Sequence, residues 1–425
     1  MRVFLDTVGC RLNQSEIEAM ARQFRAAGHE IVGEARAAEL AVVNTCAVTA
    51  EAAADSRGAI RRIARAGAAQ IVATGCWATL EPGAAGALSG VSHIVLNEGK
   101  DRLVQRVLGL PEDAFDLEPI AREPLPGLHR RTRAFIKVQD GCDNRCTFCV
   151  TTIARGAGRS REAAEVLADV RAALEGGARE IVLTGVHLGS WGRERGMHLR
   201  DLVRAVLAGT DVPRLRLSSL EPWDLDAGFF SLWQDARLCP HLHLPLQSGC
   251  AATLRRMARK TTPASFRALL QAARAAIPDV AITTDIIAGF PGESEAEFEE
   301  SLAFIRETRF AGGHAFTYSA RPGTAAARMP AQVPPEVRKA RNAEYRAAFE
   351  DSAQAYRREF IGRTLPALWE SAVQYDERGW RMEGWTGNYL RVQALASAPR
   401  WNELDPVELT EAAGGMVQGV IRKTG

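Results

Sequence analysis

The stretch Gln139-Asp-Gly-Cys142-Asp-Asn-Arg-Cys146-Thr-Phe-Cys149 places three cysteines in a CxxxCxxC spacing directly after an apolar run at 134–138. Three thiolates at this spacing can hold three irons of a [4Fe–4S] cluster and leave the fourth iron without a protein ligand. Such an open iron can bind a small molecule. Zinc sites usually combine a CxxC pair with a second pair at finger-like spacing, so zinc or an incidental cysteine cluster is the less favoured interpretation.

Apolar runs alternate with helical patterns on both sides of this motif. Before it, strands are predicted at 3–5, 40–43, 70–73 and 93–96, with helices near 13–27 and 49–65. After it, strands are predicted at 134–138, 180–184, 214–217, 241–244, 281–287 and 314–318. The first series predicts a parallel sheet wrapped by helices. The six units of the second predict a barrel or partial (β/α)6 barrel, whose active site would lie at the carboxyl ends of its strands.

The length and composition of the chain limit the number and kind of its domains. The 425 residues allow about three domains. Apolar residues make up 46% and charged residues 24%, which excludes disordered and fibrous classes. A linker is predicted at 112–126, and the last 65 residues or so, with four of the eight tryptophans, predict a small β-barrel. We therefore expect an α/β protein with an N-terminal domain at 1–120, a central domain at 128–358 and a C-terminal domain at 360–425.

Three further cysteines, Cys10, Cys46 and Cys76, each follow an apolar run of the first segment. The carboxyl ends of parallel strands share one edge of a sheet, so these thiols can meet in space. The alternative is that they are small buried residues at strand ends, the interpretation we adopt for Cys239 and Cys250. No early stretch resembles a secretion signal and no apolar run approaches 18 residues, so a cytoplasmic protein without membrane contact is expected. Clustered cysteines there are more often metal ligands than disulfides.

The cysteine motif and the Arg155-Gly…Arg159-Ser-Arg161 run that follows it resemble the radical S-adenosylmethionine (SAM) methylthiotransferases. Further similar stretches are Leu183-Thr-Gly-Val-His-Leu-Gly189, Ser218-Ser-Leu-Glu-Pro222, His243-Leu-Pro-Leu-Gln-Ser-Gly249 and Asp285-Ile-Ile-Ala-Gly-Phe-Pro-Gly-Glu293. The resemblance implies that Cys142, Cys146 and Cys149 are catalytic, because they hold the cluster that cleaves SAM to a carbon radical. It also implies that Cys10, Cys46 and Cys76 hold a second, auxiliary [4Fe–4S] cluster.

The resemblance further implies which residues contact SAM. They are Phe148 within the motif, Gly185, Ser219, Glu221 and Gln247 at or after predicted strand ends, and Arg155, which could pair with the SAM carboxylate or with a tRNA phosphate. Structural polar roles, and for Gly185 a turn, are the alternatives.

Two features resemble the MtaB-type branch of the family: Asn13-Gln-Ser15 after Cys10, and Val150-Thr-Thr-Ile-Ala-Arg-Gly156. That branch converts N6-threonylcarbamoyladenosine, just 3′ of the tRNA anticodon, to its 2-methylthio derivative. Sibling branches act on isopentenyladenosine in tRNA or on an aspartate of ribosomal protein S12. Many members have Ile-Pro-Tyr where this chain has Thr151-Thr-Ile153. A non-catalytic RNA-binding protein with zinc is the alternative of another class.

Partners follow from the same resemblance: the tRNA anticodon stem-loop, SAM, and a flavodoxin-like or ferredoxin-like electron donor. The stretch Gly384-Trp-Thr-Gly-Asn-Tyr-Leu-Arg-Val392 resembles the TRAM domain, a small RNA-binding barrel, and its aromatic residues could stack on bases. Residues 360–425 nevertheless hold seven Arg and Lys against eight Asp and Glu. The basic segment is 122–161, with nine against three, although the whole chain carries only +2.

Overall fold

The computed structural model describes residues 1–111, 113–115, 132–226 and 228–422. The chain forms two compact units. The first contains Met1–Gly177, Thr184–His187 and Ser319–Thr324, and the second contains Ala178–Leu183, Leu188–Tyr318 and Ala325–Gly425. Apart from 113–115, the predicted linker at 112–126 lies outside the described residues, as does the part of the basic segment before residue 132.

The first unit opens with a five-stranded parallel sheet in the order β2-β1-β3-β4-β5. Its strands are β1 (Arg2–Thr7), β2 (Glu30–Val32), β3 (Leu40–Thr45), β4 (Gln70–Gly75) and β5 (Val91–Val95). The four predicted strands are confirmed. The edge strand β2 was not predicted, because three residues are too few to show a period. Apolar side chains are buried on both faces of the sheet, as a parallel sheet covered by helices requires.

The helices of this sheet place the N-terminal cysteines. They are α1 (Arg11–Ala26), α2 (Ala50–Arg65), α3 (Cys76–Leu80), α4 (Pro82–Gly86) and α5 (Leu103–Leu108). Helix α1 begins one residue after Cys10 and α3 begins at Cys76 itself. Helix α2 begins after Thr49, whose hydroxyl accepts the backbone N–H of Ala52 at 3.1 Å. Each cysteine therefore lies where a strand gives way to a helix.

The second αβ series contains all six predicted strands. Its strands are β6 (Arg133–Lys137), β7 (Gln139–Asp140), β8 (Arg159–Ser160), β9 (Glu180–Thr184), β10 (Arg214–Leu217), β11 (His241–His243), β12 (Ala281–Ala288) and β13 (Gly312–Thr317). Its helices are α6 (Thr151–Arg155), α7 (Ala163–Glu175), α8 (Leu199–Gly209), α9 (Ala251–Arg256), α10 (Pro263–Ala276), α11 (Glu295–Thr308) and α12 (Pro335–Arg358). The short pair β7 and β8 flanks the cysteine motif.

In the second unit, β9 and β10 pair in parallel, and so do β11, β12 and β13. Isolated parallel bridges join Leu215 to Leu238 and Ser219 to His243, so the sheet continues between β10 and β11 by single contacts rather than by a full ladder. This is the parallel αβ architecture expected of a partial barrel. The carboxyl ends of these strands carry the predicted ligand loops.

The C-terminal segment is a closed barrel in the order β14-β15-β16-β18-β17, which confirms the prediction of a small barrel. The strands are β14 (Thr364–Asp376), β15 (Gly379–Thr386), β16 (Arg391–Ala396), β17 (Leu404–Ala413) and β18 (Met416–Ile421). Trp369 is fully buried in its core, and its indole N–H donates to Asp405 at 2.7 Å.

Among the helices that the structure describes, none has the length and apolar character needed to cross a membrane.

Candidate functional site

The three N-terminal cysteines lie at one edge of the parallel sheet. Gly9 has φ +111°, and a Cβ on it would lie 2.8 Å from the Cys46 sulfur, so the loop before Cys10 packs directly on Cys46. Cys46 and Cys76 are buried, whereas Cys10 is exposed. The shared edge expected from the sequence therefore brings the loops of all three thiols together and leaves one side of the group open.

Burial raises the pKa of Cys46 to about 11, and the neighbouring thiolates of Cys10 and Cys76 oppose its ionisation further. Buried thiolates, such as those of Cys46 and Cys76, are stable only beside compensating positive charge, which iron supplies. This donor set therefore fits an iron–sulfur cluster.

Two asparagines contact these sulfurs. The Cys10 thiol donates to Asn13 Oδ1 at 3.7 Å, while Asn13 Nδ2 donates to the carbonyl oxygens of Val8 at 2.8 Å and Thr45 at 3.2 Å. Asn97 Nδ2 donates to Cys76 Sγ at 3.7 Å and to the Ala154 carbonyl at 2.8 Å. Ala154 belongs to α6, which follows the CxxxCxxC motif. Asn97 therefore joins the N-terminal cysteines to the second cysteine group.

The CxxxCxxC motif forms a tight loop. Cys142 donates its backbone N–H to the Gly156 carbonyl at 3.0 Å, Cys149 donates to the Cys146 carbonyl at 3.0 Å, and Asn144 donates its backbone N–H to Cys142 Sγ at 3.4 Å. Cys142, Cys146 and Cys149 are all partly exposed, as is Phe148 between the last two. Local backbone bonds thus hold three accessible thiols on one short segment.

Gln139 fastens this loop to the segment after β9. Its Nε2 donates to the carbonyls of Asp140 and Gly141, and its Oε1 accepts the backbone N–H of His187 at 2.8 Å. A Cβ on Gly185 would lie 3.0 Å from both Cβ and Oε1 of Gln139. Gly185 was expected to admit the SAM methionine group. The structure shows that its missing side chain makes room for Gln139.

A set of buried charges lies between the two cysteine groups, and we call it the buried charge network. It consists of Glu16, Lys100, Lys137, Asp140 and Arg155. Lys100 Nζ lies 2.8 Å from Glu16, and Lys137 Nζ lies 3.8 Å from both Glu16 and Asp140. Burial alone would raise the pKa of Glu16, but the charges of Arg155, Lys100 and Lys137 outweigh it and hold that pKa well below its usual value.

Arg155 is the centre of this network. Its Nη1 donates to Glu16 Oε1 at 2.8 Å and to Asp140 Oδ1 at 2.9 Å, and its Nη2 donates to Asn13 Oδ1 at 2.8 Å and to Glu16 Oε2 at 3.3 Å. The prediction that Arg155 contacts the SAM carboxylate or a tRNA phosphate is therefore wrong. The side chain is 2% exposed, and both terminal nitrogens are taken by protein groups. Arg155 instead links α6 to the asparagine that contacts Cys10.

In the second unit, Ser219 is exposed two residues beyond β10. Glu221 follows, and both of its oxygens accept from Arg259, at 3.2 and 2.6 Å; the Arg259 guanidinium also lies over the Trp223 ring at 4.4 Å. Gln247 has φ +76°, a strained value for a residue with a side chain. Its backbone N–H bonds to Asp285 and its carbonyl to Ile287, each within 2.9 Å, which holds the strained turn at the end of β11.

The aromatic residues of the 384–392 stretch are committed to packing within the second unit. Tyr389 stacks between Trp385 and His241, with ring centroids 4.6 and 4.3 Å away, and the Arg216 guanidinium lies 5.0 Å from its centroid. Arg216 also bonds to the carbonyls of Thr386 and Gly387. Both faces of Tyr389 are therefore covered within the protein, and the expectation that it stacks on RNA bases is wrong for this ring.

Several residues of the site were not predicted from the sequence. Asn97, Lys100 and Glu16 bear no relation to the cysteine spacing and become neighbours only when the sheet forms. The one available signal is the charge of Glu16 one helical turn from apolar Leu12 and Met20 in α1, since such a charge must find a partner when buried.

Among the described residues, no three His, Cys, Asp or Glu side chains converge closely enough to hold a single metal ion. A zinc ion would draw its thiolates to within roughly 4 Å of one another, given Zn–S bonds of about 2.3 Å. A cubane cluster takes one thiolate at each of several irons and spreads them further apart. Each cysteine group supplies the three thiolates that a cubane cluster with one open iron requires.

Two family descriptions match this chain. Residues 2–96 match "Uncharacterized protein family UPF0004", and residues 136–305 match the "Radical SAM superfamily". In solved structures, the radical SAM methyltransferase TsrM from Kitasatospora setae superimposes with a TM-score of 0.58 over 76% of each chain, at 16% identity. This likeness shows that the radical SAM fold is present.

Similar proteins cover nearly the whole chain. The threonylcarbamoyladenosine tRNA methylthiotransferase MtaB of Bacillus subtilis is 34% identical over 92% of this chain and 89% of its own length. The MtaB of Thermotoga maritima is 36% identical over 88% and 89%. A tRNA-2-methylthio-N(6)-dimethylallyladenosine synthase of Novosphingobium aromaticivorans is 33% identical over 97% and 95%. With its two cysteine groups and its radical SAM fold, the chain belongs to the radical SAM methylthiotransferase family and is an enzyme of the MtaB type.

Proposed function

We propose that this enzyme methylthiolates carbon 2 of N6-threonylcarbamoyladenosine in tRNA, at the position just 3′ of the anticodon. The observation that carries the proposal is the joining of two separate three-cysteine groups within one compact unit by Asn97, Asn13 and Arg155. The MtaB relatives support the choice of nucleoside, since two of them match about nine-tenths of the chain.

The bond to be broken explains why two cysteine groups are needed. The C2–H bond of adenine is not acidic at neutral pH, so no general base can activate it. SAM bound to a reduced cluster supplies a carbon radical able to abstract such a hydrogen. The loop of Cys142, Cys146 and Cys149 would hold that cluster, because its three thiols leave one iron open.

The sulfur has to reach the same carbon, and we assign its delivery to the N-terminal group. Cys10, Cys46 and Cys76 would hold a second [4Fe–4S] cluster, on the open side that exposed Cys10 marks. The buried charge network supports this role, because it fixes α1 against α6 and so fixes Cys10 relative to the segment after Cys149. Hydrogen bonds between side chains of α1 and α6 would thereby set how far apart the two clusters lie.

We propose that SAM and tRNA contact residues that keep accessible surface. Ser219 and Phe148 keep accessible surface, and we retain them as SAM contacts together with the backbone near Gly185 and Gln247. Glu221 would reach SAM only while still paired with Arg259. For tRNA, the described part of the basic segment, from 132 to 161, keeps exposed Arg145 and Arg159 near the cysteine loop. Phosphates are natural partners of such arginines.

The test is the nucleoside profile of tRNA from a strain that lacks this enzyme, with and without a plasmid-borne copy. We expect the 2-methylthio derivative of threonylcarbamoyladenosine to disappear and to return with the wild-type copy, but not with Cys146→Ala. Loss of methylthiolated isopentenyladenosine instead, or of a modified aspartate in ribosomal protein S12, would assign the enzyme to a sibling branch.

A further inference from the structure

Six arginines of the described chain are buried, and five of them face a carboxylate. The pairs are Arg155 with Glu16 at 2.8 Å, Arg214 and Arg216 with Glu180 at 2.7 and 2.6 Å, Arg259 with Glu221 at 2.6 Å, and Arg341 with Glu293 at 2.9 Å. This pattern is the expected one, because a buried charge is costly unless a partner compensates it.

Arg321 is the exception. The residue is only 7% exposed, and its Nε is buried without a hydrogen-bond partner. Within the described residues, no carboxylate oxygen lies within 4.0 Å of its guanidinium, and no side chain or carbonyl accepts from it. A guanidinium whose Nε is buried without a partner lowers stability unless something else neutralises the charge. A bound ligand with an anionic group would supply the counter-charge that the described residues do not.

The position of Arg321 indicates which molecule brings it. Arg321 follows β13, at the carboxyl end of the last parallel strand, in the segment Ser319–Thr324 that belongs to the first unit. Ser319 Oγ accepts the backbone N–H of Ala50, four residues after Cys46, at 3.2 Å. A Cβ on Gly323 would lie 3.2 Å from Ile153, four residues after Cys149. The segment thus contacts the chain just beyond a cysteine of each group.

The loop itself is held rigidly. Thr324 donates both its backbone N–H, at 3.2 Å, and its hydroxyl, at 2.7 Å, to the Arg321 carbonyl. Pro322 between them restricts the backbone further. Since these bonds hold the carbonyl of Arg321, the base of its side chain keeps one position before any ligand arrives, which lowers the entropy lost on binding.

We propose that Arg321 is the receptor for a carboxylate of a bound ligand, in the space served by both cysteine groups. A guanidinium suits a carboxylate because its parallel N–H groups bond both oxygens. A carboxylate, as a small terminal group, can reach a residue with so little exposed surface, whereas RNA backbone phosphates remain at the protein surface. Two carboxylates belong to the proposed reaction: that of the methionine part of SAM, and that of the threonyl group on the adenosine. Binding of the threonyl carboxylate rests on the proposed function, whereas binding of the SAM carboxylate does not.

The experiment compares ligands with and without the carboxylate. Anaerobically loaded wild type, Arg321→Gln and the exposed control Arg328→Gln are titrated by calorimetry with S-adenosylhomocysteine and with its decarboxylated counterpart. A second arm uses an anticodon stem-loop that carries threonylcarbamoyladenosine, as the free acid and as the methyl ester. For the ligand whose carboxylate Arg321 binds, Arg321→Gln should lower the affinity for the acid form by about 10- to 100-fold. The affinity for the form without a free carboxylate should not change.

A second measurement needs no ligand. In ligand-free protein, Arg321→Gln should leave the melting temperature unchanged or raise it, because the substitution removes an uncompensated charge. Arg341→Gln should lower the melting temperature, because it leaves Glu293 unpaired. The proposal is overturned if Arg321→Gln binds both acids as the wild type does, or weakens acid and carboxylate-free ligands equally. If the wild type ignores the stem-loop while Arg321 still discriminates S-adenosylhomocysteine, the proposed nucleoside fails and the receptor stands.

Discussion

Arg155 and Glu16 form an ion pair in which both side chains are 2% exposed, with Nη1 2.8 Å from Oε1. Glu16 belongs to the helix after Cys10, and Arg155 ends the helix after Cys149. A buried pair of this kind fixes geometry more than it adds stability, but breaking it leaves a charge without compensation.

Arg155→Gln should therefore lower the free energy of unfolding of the first unit by about 3–5 kcal/mol. Urea denaturation of the iron-free protein, followed by circular dichroism, measures this. Arg159→Gln is the matched control: its side chain is 52% exposed, and its change should stay below about 1 kcal/mol. Equal effects of the two substitutions would contradict the assigned role of the buried pair.

The loss of stability caused by Glu16→Gln should depend on pH. The folded state holds the pKa of Glu16 below its unfolded value of about 4.3, so its stabilising contribution is complete above that value and is lost as the pH falls through the folded pKa. The urea midpoints of wild type and variant should thus differ by a constant amount between about pH 6 and pH 8 and approach each other in acid. The exposed Glu30→Gln serves as control, and a difference that widens in acid would reverse the sign.

The two cysteine groups should be separable by iron analysis. Wild type reconstituted without oxygen should bind about eight irons and eight sulfides per chain, and Cys76→Ala and Cys146→Ala should each retain about four. Only Cys146→Ala should lose SAM cleavage, whereas both should lose methylthiolation. Retention of all the iron by Cys76→Ala would exclude the N-terminal group as ligands.

Gly141→Ala should disrupt the loop that precedes Cys142. Gly141 has φ +70°, and a Cβ there would lie 1.9 Å from the Ala157 carbonyl oxygen. Gly156 has a similar φ of +74° with nothing within 4 Å, so Gly156→Ala reproduces the conformational strain without the collision. Loss of about four irons and of SAM cleavage is expected in Gly141→Ala, with a milder effect in Gly156→Ala. The iron-to-protein ratio and the electron paramagnetic resonance spectrum report it.

The local pattern of apolar and polar residues was sufficient to predict the main strands and helices of the fold. Strands 180–184 and 214–217 were placed to the residue, because the first is a largely apolar run and the second alternates Arg with Leu, each between helical patterns. The cysteine loop and the closed barrel were also foreseen, since both depend on spacing and composition within one segment. These features require no knowledge of distant contacts.

Pairings across long distances in the sequence could not be foreseen. Arg155 was expected at a ligand, but it meets a carboxylate 139 residues away. Tyr389 was expected to stack on RNA, but it packs on residues of β10 and β11. In each case the residue type fits both roles, because arginine suits any carboxylate or phosphate and aromatic rings stack on any flat group. Only the tertiary fold decides between them.

The buried charge network also bears on how such enzymes can be recombined. Glu16 and Lys100 precede the segment at 112–126, whereas Lys137, Asp140 and Arg155 follow it. A chimera joined within that segment would combine the acidic and basic members of two different parents in one buried space. Unless all five positions come from the same parent, we expect charges to remain unmatched. N-terminal and central parts are thus interchangeable only when all five of these residues match one parent. The length of the connecting segment does not decide this.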